Sequence, residues 1–264
     1  MPPSPLTLAA TDALRRLAGL DPDAKNLAVA LRLLAKWRSE LVANTVATRS
    51  GTTIQSGPFQ GTDYSAAASE GSRAARLLGV YEASLAPIIE TIIARAYPLV
   101  IDVGSAEGYY AVGLARRMTT SHVMARDANP AARLLCAKLA ALNGVADRVE
   151  VGGLMDHADF DRCTNQPTVI ICDIEGAEDA LLDPVAAPGL RQADILVECH
   201  DVMQPGLADR LSARFAATHS VTRIDRQLST FLPAWMEELS DLDRLIALWE
   251  WRSGPTPWLW MQHK

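Results

Sequence analysis

The chain has 264 residues, 49% of them hydrophobic and 21% charged, with a formal net charge of −6. This is the composition of a soluble globular protein, long enough for one large domain or two small ones. The acidic balance, with no block of like charge, argues against a nucleic-acid binder, which neutralises phosphate with a basic face. The four cysteines (Cys136, Cys163, Cys172 and Cys199) are scattered without a CxxC pair or finger spacing, so they read as reduced thiols of a cytoplasmic protein. The first residues lack a basic region followed by a long apolar core, and no apolar run approaches the roughly 20 residues that span a bilayer. Neither export nor a membrane is expected.

Residues 6 to 47 read as helical and rich in Ala and Leu, with Asp21-Pro22 as a cap and first-turn pair and Leu27, Leu31, Leu34, Leu41 and Val42 at helical spacing. Residues 50 to 72, SGTTIQSGPFQGTDYSAAASEGS, dissolve into Gly, Ser and Thr and read as a long loop, with a lid over a site or a linker as alternatives. Another helix is expected from about Ala74 to Ala94, bent near Pro87. From residue 98 apolar strands alternate with helices. Strands are expected at 99–103, 122–127, 148–152, 168–173 and 194–199, with two more near 220–224 and 258–262. Helices fall at about 107–118, 130–143, 176–183, 204–217 and 239–249. This pattern predicts an α/β fold, a doubly wound and mostly parallel seven-stranded sheet covered on both faces, behind an N-terminal helical segment. Ligands of such sheets bind just beyond the C-terminal strand ends.

The first of those ends is LVIDVGSAEGYY at 99–110, in which Asp102 precedes Gly104 and Gly108. Gly104 permits a turn with unusual backbone angles, and Gly108 clears room for a ligand or a packed neighbour. The two glycines are four apart, where a dinucleotide turn needs G-x-G-x-x-G, and Tyr109 and Tyr110 stand where a P-loop needs Lys and Ser or Thr. Both phosphate-cradling readings are disfavoured. The second strand ends in Asp127, placed to accept from two ribose hydroxyls, or else to cap the helix at Pro130. After the third strand, GGLMDHADF brings Asp156 and His157 to the same rim, where an acid can accept from the adenine amine. The fourth and fifth ends are the most heavily charged: ICDIEGAEDALL carries Asp173, Glu175 and Glu178, and ILVECHD carries Glu198, His200 and Asp201. Ionisable groups beside apolar strands mark a reaction centre. Glu178 and Asp179 read as a solvated helix start, whereas Asp173 and His200 read as functional.

Taken together, IDVGSAEGYYAVGLA, the acid ending the second strand, CDIEGAED and VECHD resemble a class I S-adenosylmethionine-dependent methyltransferase. The DIEGAE and ECH segments are similar to the FkbM-type methyltransferases, many of which methylate hydroxyls of small molecules or sugars. The resemblance covers roughly residues 75 to 262 and implies a methyltransferase domain at 75–264 behind the segment 1–74. It implies S-adenosylmethionine as cofactor and a small-molecule acceptor as partner. Gly104 and Gly108 would border the methionine moiety, Asp127 the ribose, the Asp156 loop adenine, and Asp173 the methyl-donor end. Asp102 would support the glycine turn through hydrogen bonds.

Methyl transfer from a sulfonium is an in-line displacement, so holding the nucleophile about 3 Å from the methyl carbon supplies much of the catalysis. A hydroxyl also needs a base. His200 is the first candidate, because an imidazole titrates near neutrality, and Glu175 is the second. Asp173, His200 and Asp201 are of the right types for a divalent metal, but nothing in the sequence fixes a coordination geometry, and no metal is assigned. Two rivals remain: a nicotinamide-dependent oxidoreductase, which lacks its glycine motif here, and a non-catalytic scaffold that uses Trp249, Trp251, Trp258 and Trp260 as a partner surface. Pairing of two chains through the N-terminal helices stays open.

Overall fold

The computed structural model describes residues 2–21, 23–65, 72–229, 231–252 and 254–264. Helix α1 (Pro5–Ala18) starts on a Ser4 cap with proline in its first turn. Helix α2 (Ala24–Ser50) starts on Asp23, whose carboxylate accepts from the Asn26 amide at 2.6 Å. The cap therefore lies two residues past the expected Asp21, and Pro22 falls outside the described residues. None of the residues of α1 is buried, and α2 buries only its C-terminal half, through Ser39, Val42, Ala43 and Val46.

The glycine- and serine-rich stretch after α2 corrects the reading of a lid. In its described part the chain folds on itself through a Thr53–Asp63 bridge and buries Ile54, Phe59 and Tyr64 in the main core. Residues 66–71 of that stretch lie outside the described ones. The expected single helix bent at Pro87 is instead two, α3 (Arg73–Leu78) and α4 (Ala86–Arg95). The break comes earlier, at Gly79, which takes φ +75 where a Cβ would collide with the backbone of Ser56. Pro87 sits harmlessly in the first turn of α4. The span Arg73–Arg95 is, by length and a mean hydropathy of 1.5, long and apolar enough to cross a membrane, contrary to the sequence reading. The chain there is nevertheless broken in two, with Leu77, Leu78, Ile89 and Ile92 buried inside the protein.

The sheet is the expected one. Strands β1 (Leu99–Val103), β2 (His122–Arg126), β3 (Val149–Gly152), β4 (Thr168–Cys172), β5 (Asp194–Glu198), β6 (His219–Ile224) and β7 (Trp258–His263) lie in the order β3-β2-β1-β4-β5-β7-β6. Strand β7 alone runs opposite to the other six. Helices α5 (Tyr109–Arg117), α6 (Pro130–Leu142), α7 (Glu178–Leu181), α8 (Leu207–Phe215) and α9 (Asp241–Ala247) complete it. Strands β1, β4 and β5 are buried along their whole length, because their side chains feed two cores, one on each face of the sheet. The order reverses between β1 and β4, so the crevice beyond their C-terminal ends is the place for a ligand.

Candidate active site

At the end of β1 the chain turns sharply through Gly104, Ala106 and Gly108, at φ +84, +46 and +96. The amides of Gly104 and Ser105 donate to the Arg126 carbonyl at 2.8 and 3.0 Å, and the Ala106 amide donates to Asp127 Oδ2 at 2.9 Å. The turn is thus tied to β2 and not to Asp102, which corrects the supporting role expected of that residue. Asp102 is buried, and its Oδ2 has no hydrogen-bond partner among the described residues. Burial pushes its carboxyl up to about 7, with the Ala111 amide opposing and Asp173 and Asp127 adding to the rise. The two glycines are required by packing. A Cβ on Gly104 would collide with the Asp173 carbonyl, and one on Gly108 would lie 2.8 Å from Cys136 Sγ on α6.

A cavity of about 660 Å³ opens beyond these strand ends, walled by Gly104, Asp127, Asp156, Asp173 and Glu175 among the expected residues. Asp102, Gly108 and His200 do not line it. Asp127 lends one oxygen to Ala106 and the other, at 2.7 Å, to the Asn129 amide, whereas the cap of α6 is Asn129 itself, which accepts from the Ala131 amide, so the capping reading of Asp127 is corrected. Asp156 spends Oδ1 on the amides of Ala158 and Asp159 in a capping box that starts the short helical turn at 157–164. Apolar walls come from Leu154, Met155, Ala180 and Leu181. No sequence signal marked them, because a loop leucine looks like any exposed apolar residue. Glu175 stands at the mouth with φ +49, a strained backbone for a residue other than glycine.

Behind Asp173 lies a knot of charge that the sequence reading split apart. Glu178 is not solvated. It is fully buried, and its carboxylate accepts from His200 Nδ1 at 2.6 Å and from the Gly176 amide at 2.9 Å. Asp179 is held by Arg210 and Arg214. Burial acts against the charge on both Glu178 and His200, yet their mutual bond prevails, so Glu178 is held low and His200 raised. Asp173 is pushed up to about 7, first by burial and then by Glu82, against the pull of His200 and Arg252. Asp201 turns away to accept from the Ala208 amide of α8 at 3.1 Å.

Glu82 and Arg252 were missed because they come from the α3–α4 break and the tail, far from any motif. Glu82 accepts from the Tyr110 hydroxyl and from Arg252, which also pairs with Glu198 and Glu250. Near the turn, Glu107 takes the Tyr64 hydroxyl and the Arg76 guanidinium, locking residues 64 and 76 against the glycine loop. In the tail, Trp258 and Trp260 are core residues, whereas Trp249 and Trp251 stack at 3.9 Å below Arg32.

No family model matches the chain, and none of the curated proteins does. Among solved structures, the O-methyltransferase from Bacillus cereus in complex with S-adenosylhomocysteine is similar at 13% identity, with 94% of each chain covered and a TM-score of 0.45. TomG, an O-methyltransferase from Streptomyces achromogenes involved in tomaymycin synthesis and solved with S-adenosylmethionine, is similar at 14% identity over 66% of this chain and 77% of that one, with a TM-score of 0.44. Cofactor-bound Rv0187 from MTB is similar at 14% identity over the whole of both chains, with a TM-score of 0.42. Likeness at this distance concerns the fold alone.

Proposed function

We propose that the protein is an S-adenosylmethionine-dependent methyltransferase of the FkbM type, acting on a hydroxyl of a small molecule or sugar. The cavity at the β1–β4 switch point carries this reading, because it sets an acid for the ribose, an apolar wall for adenine and a carboxylate for the sulfonium end along one crevice. Asp127 serves the ribose, Asp156 with Leu154 and Met155 serves adenine, and Gly104 exposes backbone to the methionine moiety. Asp173 stands beside the methyl donor, where a carboxylate favours the positive sulfur. Gly108 acts one layer back by shaping the turn.

The expectation that His200 is the base changes in one respect. Its Nδ1 is engaged by the buried Glu178 and the ring does not line the cavity, so it is poorly placed to take the acceptor's proton. Glu175, at the water-facing mouth, is the carboxylate available to take the acceptor's proton. Titration calorimetry tests the cofactor reading. S-adenosylmethionine and S-adenosylhomocysteine are expected to bind one site per chain, and NADH is not. A response to NADH alone would replace this reading with that of an oxidoreductase, and no binding of any of the three leaves a scaffold.

A further inference from the structure

We infer that a second, smaller pocket beside Asp173 receives the acceptor, and that the acceptor is a single flat ring carrying its hydroxyl, a phenol and not a sugar. The pocket encloses about 280 Å³ and is walled by the rings of Phe59, Tyr81, Tyr109, Tyr110 and Phe231. It lies at the same end of the sheet as the larger cavity, because Tyr109 and Tyr110 open α5 just past β1, and Phe231 follows the end of β6. Glu82 links the two. It lines the pocket, and its charge acts on Asp173, which lines the cavity.

The walls suit a ring. Tyr109 meets Phe59, Tyr81 and Tyr110 edge to face, with centroids 5.2, 5.4 and 5.3 Å apart and planes nearly perpendicular. Each ring is held by its neighbours, so little side-chain freedom is lost when a ligand enters. Backbone closes one side, where a Cβ on Gly57 would lie 2.5 Å from the Gly79 carbonyl oxygen. Phe231 is the exception to this burial. It is 51% exposed beside the pocket, so a ligand packed against it would cover apolar surface that water now touches. A sugar is a poor fit for the same walls, because each of its hydroxyls is costly to bury without a partner. The polar groups here are already committed. The Tyr110 hydroxyl is given to Glu82, and Ser56 Oγ donates to the Leu78 carbonyl at 2.6 Å. Glu82 also takes Arg252, and it is held at φ +48, a strained backbone of the kind that persists at working positions.

This assignment narrows the proposed function and rests on it for its chemistry. A phenol ionises at about pH 10, as the tyrosine side chain does, and so asks less of a carboxylate base than an aliphatic hydroxyl. Its proton would pass to Glu175. An oxygen pair would form the new bond to the methyl carbon, and the C–S bond would break with its electrons returning to sulfur, leaving a neutral thioether.

Binding of p-cresol to the full chain, followed by NMR titration with and without S-adenosylhomocysteine, tests the pocket apart from activity. One site per chain is expected. Affinity should fall about tenfold or more in Ala86→Phe, which fills the pocket, and about threefold in Phe231→Ala, which opens its rim. S-adenosylhomocysteine should bind the parent and both variants alike. Phe231 is exposed, so Phe231→Ala decides the matter where Ala86→Phe fails to fold. Methyl α-glucoside is expected not to bind, and p-cresol with S-adenosylmethionine is expected to yield 4-methylanisole. No binding of p-cresol, or binding undiminished in the folded variants, overturns the pocket. Methyl α-glucoside bound at the same place overturns the choice of a ring over a sugar. A chain that holds both S-adenosylmethionine and p-cresol but transfers no methyl group overturns the acceptor assignment alone. Binding of p-cresol with no affinity for S-adenosylmethionine keeps the pocket and discards the methyltransferase.

Discussion

At the ends of β1 and β2 the protein meets its cavity with backbone: a turn of three left-handed residues, amides given to Arg126 and Asp127, and an Asp127 carboxylate whose two oxygens both accept from backbone amides. At the ends of β4 and β5 it meets the cavity with Asp173, backed by buried side-chain charge on Glu178, Glu198 and His200 that stacks against Glu82 and Arg252. The first half is rigid because strand packing leaves its backbone no other path. The second is held by partners that would each be costly to leave alone. A binding surface can rest on the first arrangement, since backbone donors do not titrate. Chemistry needs the second, where proton and charge can be redistributed.

The largest expected effect strikes the backbone half. Gly104→Ala puts a Cβ into the Asp173 carbonyl at φ +84, so strain adds to collision. A loss of about 4 kcal/mol or more is expected in urea unfolding. Gly153→Ala, on the same cavity wall but with nothing within 4 Å of its added Cβ, is expected to change stability by less than about 0.5 kcal/mol. Equal effects at the two glycines would mean that the turn is not pinned by β4. Next in size, Asp127→Ala is expected to weaken S-adenosylmethionine binding tenfold or more, about 1.4 kcal/mol by calorimetry. Unchanged affinity would remove Asp127 from the ribose.

The contrast between the halves also governs how much was legible in the sequence. Strand and helix placement from residue 98 onward follows from apolar runs that period and punctuation delimit well, and all seven strands lie where the pattern puts them. The places of Asp127 and Gly104 on the cavity wall were legible because they depend only on position just after a strand. Glu178 was misread because an acid in a helix's first turn ordinarily favours the dipole and faces water. Only the tertiary approach of His200, 22 residues later, buries it. Glu82 and Arg252, 170 residues apart, left no local trace at all. The stretch after α2 misled for a related reason. Its glycines and serines look like a loop, and the three large residues Ile54, Phe59 and Tyr64 that anchor it are too sparse to show a period.

The smallest expected effect tests where the backbone half ends. Asp102 belongs by sequence to the glycine turn, yet it is buried with one oxygen unpartnered, and its carboxyl is pushed up to about 7. A carboxyl raised above its unfolded value of 3.8 makes the folded state the better proton binder between those two values. Stability therefore falls as pH climbs through that window and levels off above about 7. Between pH 6 and pH 8 this one group should cost about 1 kcal/mol. Asp102→Asn cannot ionise, so its thermal unfolding profile should lack this fall and diverge upward from the parent's as pH rises from 6 to 8. Affinity for S-adenosylmethionine at pH 6 should stay as it was, since Asp102 does not line the cavity. Parallel profiles would mean that Asp102 is already ionised in the folded state, partnered by the turn after all, and that the backbone half of the site also stores charge.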